Sequence, residues 1–221
     1  MMFNKVAEGR VRKMTHIRAG TVVKQRELLT IHSERIQVPD RERKVHLQFR
    51  RFAGCPVCNL HLHSIVQRND EIQEASIREV VVFHTSTEEL QQHAGDFPFA
   101  VIADPEKRLY ADFGVESGPR ALLDPRAWAP ILRGVIRSLR ASFRGRPMPS
   151  MNPHGGRLGL PADFLIASDG RVLACKYGSH AYDQWSVDEM LALSRIKDAD
   201  PQKARGETHD HQLIEKGENR K

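Results

Sequence analysis

Residues 44–58 read Lys-Val-His-Leu-Gln-Phe-Arg-Arg-Phe-Ala-Gly-Cys-Pro-Val-Cys, and the hydrophobic period changes within this stretch. Apolar and polar residues alternate from Val45 to Phe49, as they do in a half-buried strand. From Pro56 onward the apolar residues recur at helical spacing, and a proline suits the first helical turn because its missing N–H removes no hydrogen bond. The stretch therefore predicts a strand that leads into a helix, with Cys55 at the amino end of that helix.

The two cysteines of this stretch occupy different environments on the predicted helix. Unpaired N–H groups and the positive end of the helix dipole favour a thiolate at Cys55, and the thiolate is the nucleophilic form. Cys58 lies one turn inside, on the apolar face. The pair is typical of an attacking thiol and a shielded resolving thiol that close a disulfide within the motif. Because Arg50 and Arg51 also lie beside Cys55, we expect its pKa to fall below the ordinary value of about 8.5.

The composition is that of a globular chain of 221 residues, 40% hydrophobic and 28% charged, which is enough for one domain with elaborations. We find no apolar run long enough to span a membrane, and residues 1–19 have no apolar core typical of an export signal. Three cysteines are too few for a disulfide framework. We therefore expect a cytoplasmic protein.

The net charge of +6 is unevenly placed along the chain. Residues 51–124 carry six basic and twelve acidic side chains, whereas residues 125–150 contain six arginines and no acid. Such runs usually form a solvated face. Because no nucleic-acid-binding motif accompanies them, we expect no nucleic acid as a partner. Basic amphipathic helices can bind anionic lipid, but nothing else in the sequence calls for a membrane, so we expect none.

Strand and helix patterns alternate along the rest of the chain. Strands are predicted at 21–24, 28–38, 77–84, 99–103, 163–167 and 171–177, and helices at 56–72, 87–94, 105–113 and from Ser186, which begins a capping box. The first two strands could pair as a hairpin, and the last two are separated by a turn. We expect an N-terminal extension at 1–15, one domain at 16–197 with an insertion at 118–159, and a polar tail at 198–221.

A βαβ unit with the cysteine pair at its first helix, followed by a ββα unit, is the order of the thioredoxin fold. The chain resembles the peroxiredoxin-like members of the thioredoxin superfamily, the group related to alkyl hydroperoxide reductase and thiol-specific antioxidant proteins. Segments 48–58, 98–105 and 159–166 carry the resemblance, which runs from about residue 20 to 195. It implies an α/β, thioredoxin-like fold: a mixed central sheet flanked by helices, with an N-terminal hairpin and a helical insertion.

Three residues depart from the patterns that the resemblance implies. A working peroxiredoxin has a threonine or serine where this chain has Phe52, and an arginine where it has Pro161. Both departures weigh against efficient peroxidase action, since the arginine would stabilise developing negative charge. Pro161 instead resembles the cis-proline of thioredoxins, which shapes a groove for a peptide disulfide. Gly54 replaces the tryptophan that precedes the first cysteine of thioredoxins, so we expect an open rim there.

Other polar residues offer further roles. Cys55, Cys58, His61 and His63 superficially suit zinc. On a helix that begins at Pro56, however, the two histidines point about 160° apart, so we predict no metal and no cofactor. Asp163 is a candidate proton acceptor under Cys58, and His84 a candidate for tuning a thiolate. Cys175 is expected to pack in the core, because free cysteine is among the most buried residue types.

The insertion contains an amphipathic helix at 127–144. Its apolar stripe comprises Trp128, Ile131, Leu132, Val135, Ile136, Leu139 and Phe143. We expect this stripe to pack on the sheet as ordinary core. A lid beside the cysteines and a contact between two copies of the chain are the alternatives.

These observations predict an enzyme, a thiol–disulfide oxidoreductase with Cys55 as nucleophile and Cys58 as resolving thiol. Gly54, Pro56, Phe52 and Pro161 are expected to shape the substrate groove or to tune the thiols. One alternative is a peroxiredoxin-like peroxidase that reduces hydroperoxides through Cys55. A second is a non-catalytic binding module. The expected partners are a protein or small-molecule disulfide or a hydroperoxide, a thiol reductant and, as a further candidate, a second copy of the chain.

Overall fold

The computed structural model describes residues 16–115, 117, 124–143, 156 and 158–195. The expected extension 1–15 and tail 198–221 lie outside the described residues, as do parts of the insertion 118–159. The domain boundaries therefore stay a prediction. No helix within the described residues is long and apolar enough to cross a membrane.

A small hairpin precedes the main sheet. Strand β1 (Arg26–Leu29) pairs antiparallel with β2 (Arg35–Val38). A hairpin is present, but the predicted strands are wrong: β1 begins after the predicted piece at 21–24, and the turn at 31–33 divides the predicted strand 28–38.

Within the described residues, the central sheet has five strands, β3 (Lys44–Phe49), β4 (Ile77–Phe83), β5 (Ala100–Ala103), β6 (Ala162–Ile166) and β7 (Val172–Tyr177), in the order β5-β4-β3-β6-β7. Strands β3, β4 and β5 run parallel, whereas β6 and β7 are antiparallel to their neighbours. The mixed sheet confirms the predicted thioredoxin-like fold.

The helices described are α1 (Pro56–Gln67), α2 (Asn69–Glu74), α3 (Thr87–Ala94), α4 (Arg108–Asp112), α5 (Trp128–Ser142) and α6 (Val187–Ser194), with a 3₁₀ turn at Pro125–Ala127. The predicted helix 56–72 is wrong in one respect, because it is two helices. The backbone of Arg68 leaves the helical region, with φ −116° and ψ 21°, and separates them. Ser186 caps α6 through the predicted capping box with Glu189.

Strand β3 separates two buried layers. Val45, Leu47 and Phe49 face one apolar cluster of the sheet. His46 and Gln48, with Arg50 just after the strand, are also buried, at 1%, 0% and 0% exposure. The expectation of a half-buried strand is therefore wrong, since both faces are covered.

The polar face of β3 is stable because its side chains pair with charges on the neighbouring strands. His46 Nδ1 lies 2.9 Å from a carboxylate oxygen of Glu79, and His46 Nε2 lies 3.3 Å from Asp163 Oδ1. Arg50 Nη2 donates to Asp163 Oδ1 at 2.6 Å and also to Gln48. We call these five residues the buried polar ladder.

Helix α5 departs from its expected packing. It lies against α1, where Gly134 approaches the backbone so closely that a Cβ there would lie 2.7 Å from the carbonyl oxygen of Pro56. Ile131 is half-buried on the same side. The rest of the stripe, from Trp128 to Phe143, is exposed. The expectation that it packs on the sheet is wrong, because the narrow Ile131–Gly134 side makes the contact instead.

The buried polar ladder allows the contribution of a buried charge to stability to be compared with that of an exposed charge. Asp163→Asn leaves Arg50 and His46 buried without their carboxylate, so we expect the free energy of unfolding to fall by about 3–5 kcal/mol. Asp188→Asn is the matched control, since Asp188 accepts from Arg68 at the same 2.6 Å but is exposed. That substitution should change stability little, because exposed ion pairs contribute little. Urea unfolding measures both, and equal small losses would contradict the assigned role of the ladder.

Candidate active site

The cysteine pair lies where β3 leads into α1, at the edge of the sheet where the parallel strands end. The N–H of Cys55 donates to the carbonyl of Phe52 at 3.2 Å, and α1 begins with Pro56. Cys55 and Cys58 are each 1% exposed. Phe52, Val57 and Ala181 pack around them, with Ile131 and Tyr182 at the margin of this cluster. The predicted placement of Cys55 at the amino end of a helix is therefore present.

The surroundings of Cys55 favour its thiolate. Burial raises the pKa of its thiol, but a hydrogen bond from Cys58, the positive charge of Arg51 and the backbone N–H groups of Cys58 and Val57 outweigh burial and lower the pKa to about 6. Burial and the neighbouring Cys55 anion raise the pKa of Cys58 well above its ordinary range. At neutral pH the pair therefore holds one thiolate and one thiol, and the thiol of Cys58 donates to Cys55.

The two arginines before the motif have separate roles. Arg50 belongs to the buried polar ladder. Arg51 is 3% exposed, and its guanidinium lies 5.4 Å from the ring centroid of Phe52. Its charge lowers the pKa of Cys55. Arg51 thus supplies positive charge near the thiolate. The resemblance expects this charge from an arginine at the position that Pro161 occupies.

The expected open rim at Gly54 is wrong. Gly54 has φ +69°, a conformation that glycine adopts without strain. A Cβ at this position would lie 2.9 Å from Cε1 of His93, which projects from the last turn of α3. The imidazole therefore occupies the space that the sequence left open. Burial lowers the pKa of His93.

Pro161 does not have the expected cis bond. Among the described residues the Val38–Pro39 bond is cis, whereas the bond before Pro161 is trans, the form that X-Pro bonds generally prefer. The carbonyl of Pro161 accepts from Gly178 at 2.8 Å, and Ala162 then pairs with Phe49 in the sheet. The chain enters β6 without a cis bond, so the likeness of Pro161 to the thioredoxin proline is wrong in this respect.

Asp163 is not a proton acceptor for Cys58. Burial raises the pKa of its carboxyl, but Arg50 and His46 outweigh burial and hold the pKa well below the usual range. Its second oxygen accepts from the backbone of Trp185 at 3.2 Å. The carboxylate is therefore committed to the ladder.

Two residues beside the cysteine loop were missed by the sequence analysis. The hydroxyl of Thr85 accepts from the backbone N–H of Ala53 at 3.0 Å and is fully buried. His93 packs against Gly54, as described above. Thr85 follows directly after His84 at the carboxyl end of β4, beside β3. That position was the available signal, because the carboxyl ends of parallel strands meet at one edge of the sheet. The ring of His84 packs at 5.7 Å on Tyr110.

The remaining candidates interact with groups other than the thiols. Nε2 of His61 lies 3.3 Å from Nη2 of Arg50. His63 is half-buried, and burial together with the positive charge of Arg137 lowers its pKa. No group of three or more His, Cys, Asp or Glu side chains within the described residues could hold a metal. Cys175 packs on the apolar layer of Val45 and Phe49, and its thiol donates to Ile17 at 3.4 Å. Cys175 therefore packs against the core, the role that the sequence predicts for it.

A thioredoxin-like fold that stabilises one thiolate beside a second thiol defines a thiol-dependent oxidoreductase. The comparisons with known proteins agree with this class. A family model described as AhpC/TSA antioxidant enzyme matches residues 64–180. The chain belongs to this family of peroxiredoxin-like proteins. The match begins after Cys58, so the roles of the two thiols rest on their geometry.

Solved structures of peroxiredoxins share the fold. Peroxidoxin BcpB from Mycobacterium tuberculosis is 19% identical with a TM-score of 0.58, and the alignment covers 83% of this chain and 100% of that one. PrxQ from Xylella fastidiosa is 11% identical with a TM-score of 0.56, covering 82% and 96%. The 2-Cys peroxiredoxin of Plasmodium vivax is 14% identical with a TM-score of 0.53, covering 80% of each chain. A comparison with curated proteins gives no match.

The acidity of Cys55 can be measured without a substrate. Thiolate absorbance in the ultraviolet should rise through a midpoint near pH 6 in a Cys175→Ser variant, because the pKa of Cys55 is lowered to about 6. Arg51→Met should move this midpoint upward, since it removes the positive charge. Arg41→Met, at an exposed position before β3, is the control and should leave the midpoint in place. A midpoint at the ordinary thiol pKa of about 8.5 in the Cys175→Ser protein would contradict the assignment.

Proposed function

We propose that this chain is a thiol peroxidase in which Cys55 reduces a hydroperoxide and Cys58 resolves the product. The observation that carries the proposal is a stabilised thiolate at Cys55, a residue that is only 1% exposed. A small hydroperoxide has to displace fewer of the covering side chains than a polypeptide does to reach such a residue. A protein disulfide must bring two chain segments to within bonding distance, which the covering residues hinder.

In the first step, the Cys55 thiolate attacks the terminal oxygen of the hydroperoxide. An S–O bond forms while the O–O bond breaks, so the sulfur is oxidised to a sulfenic acid and the peroxide is reduced. The departing alkoxide takes a proton from water and leaves as an alcohol. The charge of Arg51 and the N–H groups at the start of α1 stabilise the anionic sulfur before the attack.

In the second step, the sulfur of Cys58 attacks the sulfenic sulfur of Cys55. The S–S bond forms, the hydroxyl leaves as water with the proton of Cys58, and no further oxidant is needed. Cys58 is suited to this role because its raised pKa keeps it protonated until Cys55 is oxidised. Two equivalents of an external thiol then return the pair to the reduced state and are themselves oxidised to a disulfide.

Thiol–disulfide exchange through the same dithiol is the second candidate. Phe52 and Pro161 favour it, since neither offers the hydroxyl or the guanidinium that the resemblance associates with peroxide reduction. Arg51 partly offsets the second departure by placing a guanidinium charge near Cys55. The binding-module alternative is the weakest of the three, because the family is one of antioxidant enzymes.

Cysteine variants separate these roles. Cys55→Ser should abolish hydroperoxide consumption. Cys58→Ser should stop after the first step and accumulate a sulfenic acid at Cys55, detected by a dimedone adduct in mass spectrometry. Cys175→Ser is the control and should keep the parent rate, because Cys175 packs in a separate cluster. A Cys55–Cys175 disulfide in the peptide map of oxidised protein would overturn the resolving role of Cys58.

The choice between the two activities needs a direct comparison. The same preparation should consume an alkyl hydroperoxide, with a small thiol as reductant, at least about tenfold faster than it reduces a protein disulfide; that ratio is 1.4 kcal/mol in activation free energy. The reverse ratio would favour disulfide exchange.

A further inference from the structure

Helix α5 carries an apolar stripe that none of the residues described by the structure covers. Leu132, Val135, Ile136 and Leu139 recur at helical spacing along one line, and they are 62%, 39%, 42% and 45% exposed. Trp128 and Phe143 extend the line at either end, at 61% and 90% exposure. Isolated exposed apolar residues are common, but a continuous row of this length marks an interaction surface.

A row of positive charge borders the stripe. Arg133, Arg137 and Arg140 follow the i, i+4, i+7 spacing and are exposed. The segment 125–143 contains no acidic residue. Around the helix, the order is therefore the contact with α1, the apolar stripe and then the arginine row.

We propose that this face of α5 binds an anionic lipid surface. A helix with an aromatic and aliphatic stripe beside arginines lies in the membrane interface, where the stripe enters the acyl boundary and the cations approach lipid phosphates. From the sequence we expect no membrane partner, because only this basic amphipathic helix favours one; the exposure of its stripe changes that expectation.

The positive charge of the arginine row favours an anionic lipid surface over a second copy of the chain at this face. If two copies met through the same face, the arginine rows of both would approach each other, and the helix supplies no acid to offset them. An anionic bilayer satisfies the stripe and the row together. The proposal does not depend on the peroxidase chemistry. It places the lipid about one helix width from the thiols, since Ile131 packs on their cluster.

Trp128 is a built-in reporter of this binding. The chain has two tryptophans, and the other, Trp185, is 7% exposed and already buried. Adding vesicles of phosphatidylcholine with phosphatidylglycerol should shift the emission to shorter wavelength, and pure phosphatidylcholine should shift it much less. Raising salt from about 0.1 M to about 0.5 M should weaken the response, because it shortens the range of charge attraction.

Substitutions on the face identify the contact. Ile136→Glu and Leu132→Glu should each weaken co-sedimentation with the anionic vesicles at least about tenfold. Leu29→Glu is the matched control, as Leu29 is 59% exposed on β1, and it should bind like the parent. Trp128→Ala, which adds no charge, should weaken binding in the same direction. Circular dichroism confirms that each variant is folded.

The arginine row has its own control. Arg133→Gln with Arg140→Gln should reduce the preference for anionic vesicles, whereas Arg41→Gln with Arg108→Gln, at exposed positions elsewhere, should not. Parent-like binding by Ile136→Glu would overturn the proposal. So would a parent protein that ignores vesicles but forms a dimer, by light scattering, that Ile136→Glu separates; the face would then be a contact between copies.

Discussion

The ion pair between Arg50 and Asp163 links the sheet to the reactive loop. Arg50 is the last residue before the loop, and its guanidinium is held at 2.6 Å by a carboxylate on β6, fully buried. The backbone carbonyl of Arg50 also accepts from the hydroxyl of Tyr110. Because consecutive residues of an extended chain face opposite ways, fixing Arg50 directs Arg51 away from the ladder. The position of the charge beside Cys55 depends on this arrangement.

The buried polar ladder is tolerated because its charges balance. Burial alone lowers the pKa of His46, but Glu79 and Asp163 outweigh burial and raise it to about 9, so the imidazole is charged at neutral pH. Two cations, His46 and Arg50, then face two carboxylates, Glu79 and Asp163. Isolated, each charge would cost several kcal/mol to bury. The contribution of His46 is present below its unfolded pKa of about 6.5 and is lost as the pH rises through about 9.

Local signals were sufficient to predict the strand-to-helix junction, since the change of period and Pro56 lie within a few residues of Cys55. The buried face of β3 could not be predicted, because Asp163 and Glu79 are distant in sequence and nothing local indicates that they neutralise His46 and Arg50. The occupied rim at Gly54 has the same cause, as His93 comes from another helix. The periodicity of α5 located its stripe correctly, but periodicity does not indicate what covers an apolar face.

The two redox activities share the Cys55 thiolate and differ in the size of what must reach it. Ala181 and Ile131 pack at the thiol cluster from distant parts of the chain, so a polypeptide must displace more of the covering side chains to reach Cys55 than a hydroperoxide does. Arg51 already supplies positive charge near the sulfur, although it comes from the loop rather than from position 161. In the proposed peroxidase, Arg51 takes the place of the arginine expected at position 161, and the covered thiol cluster disfavours large disulfides.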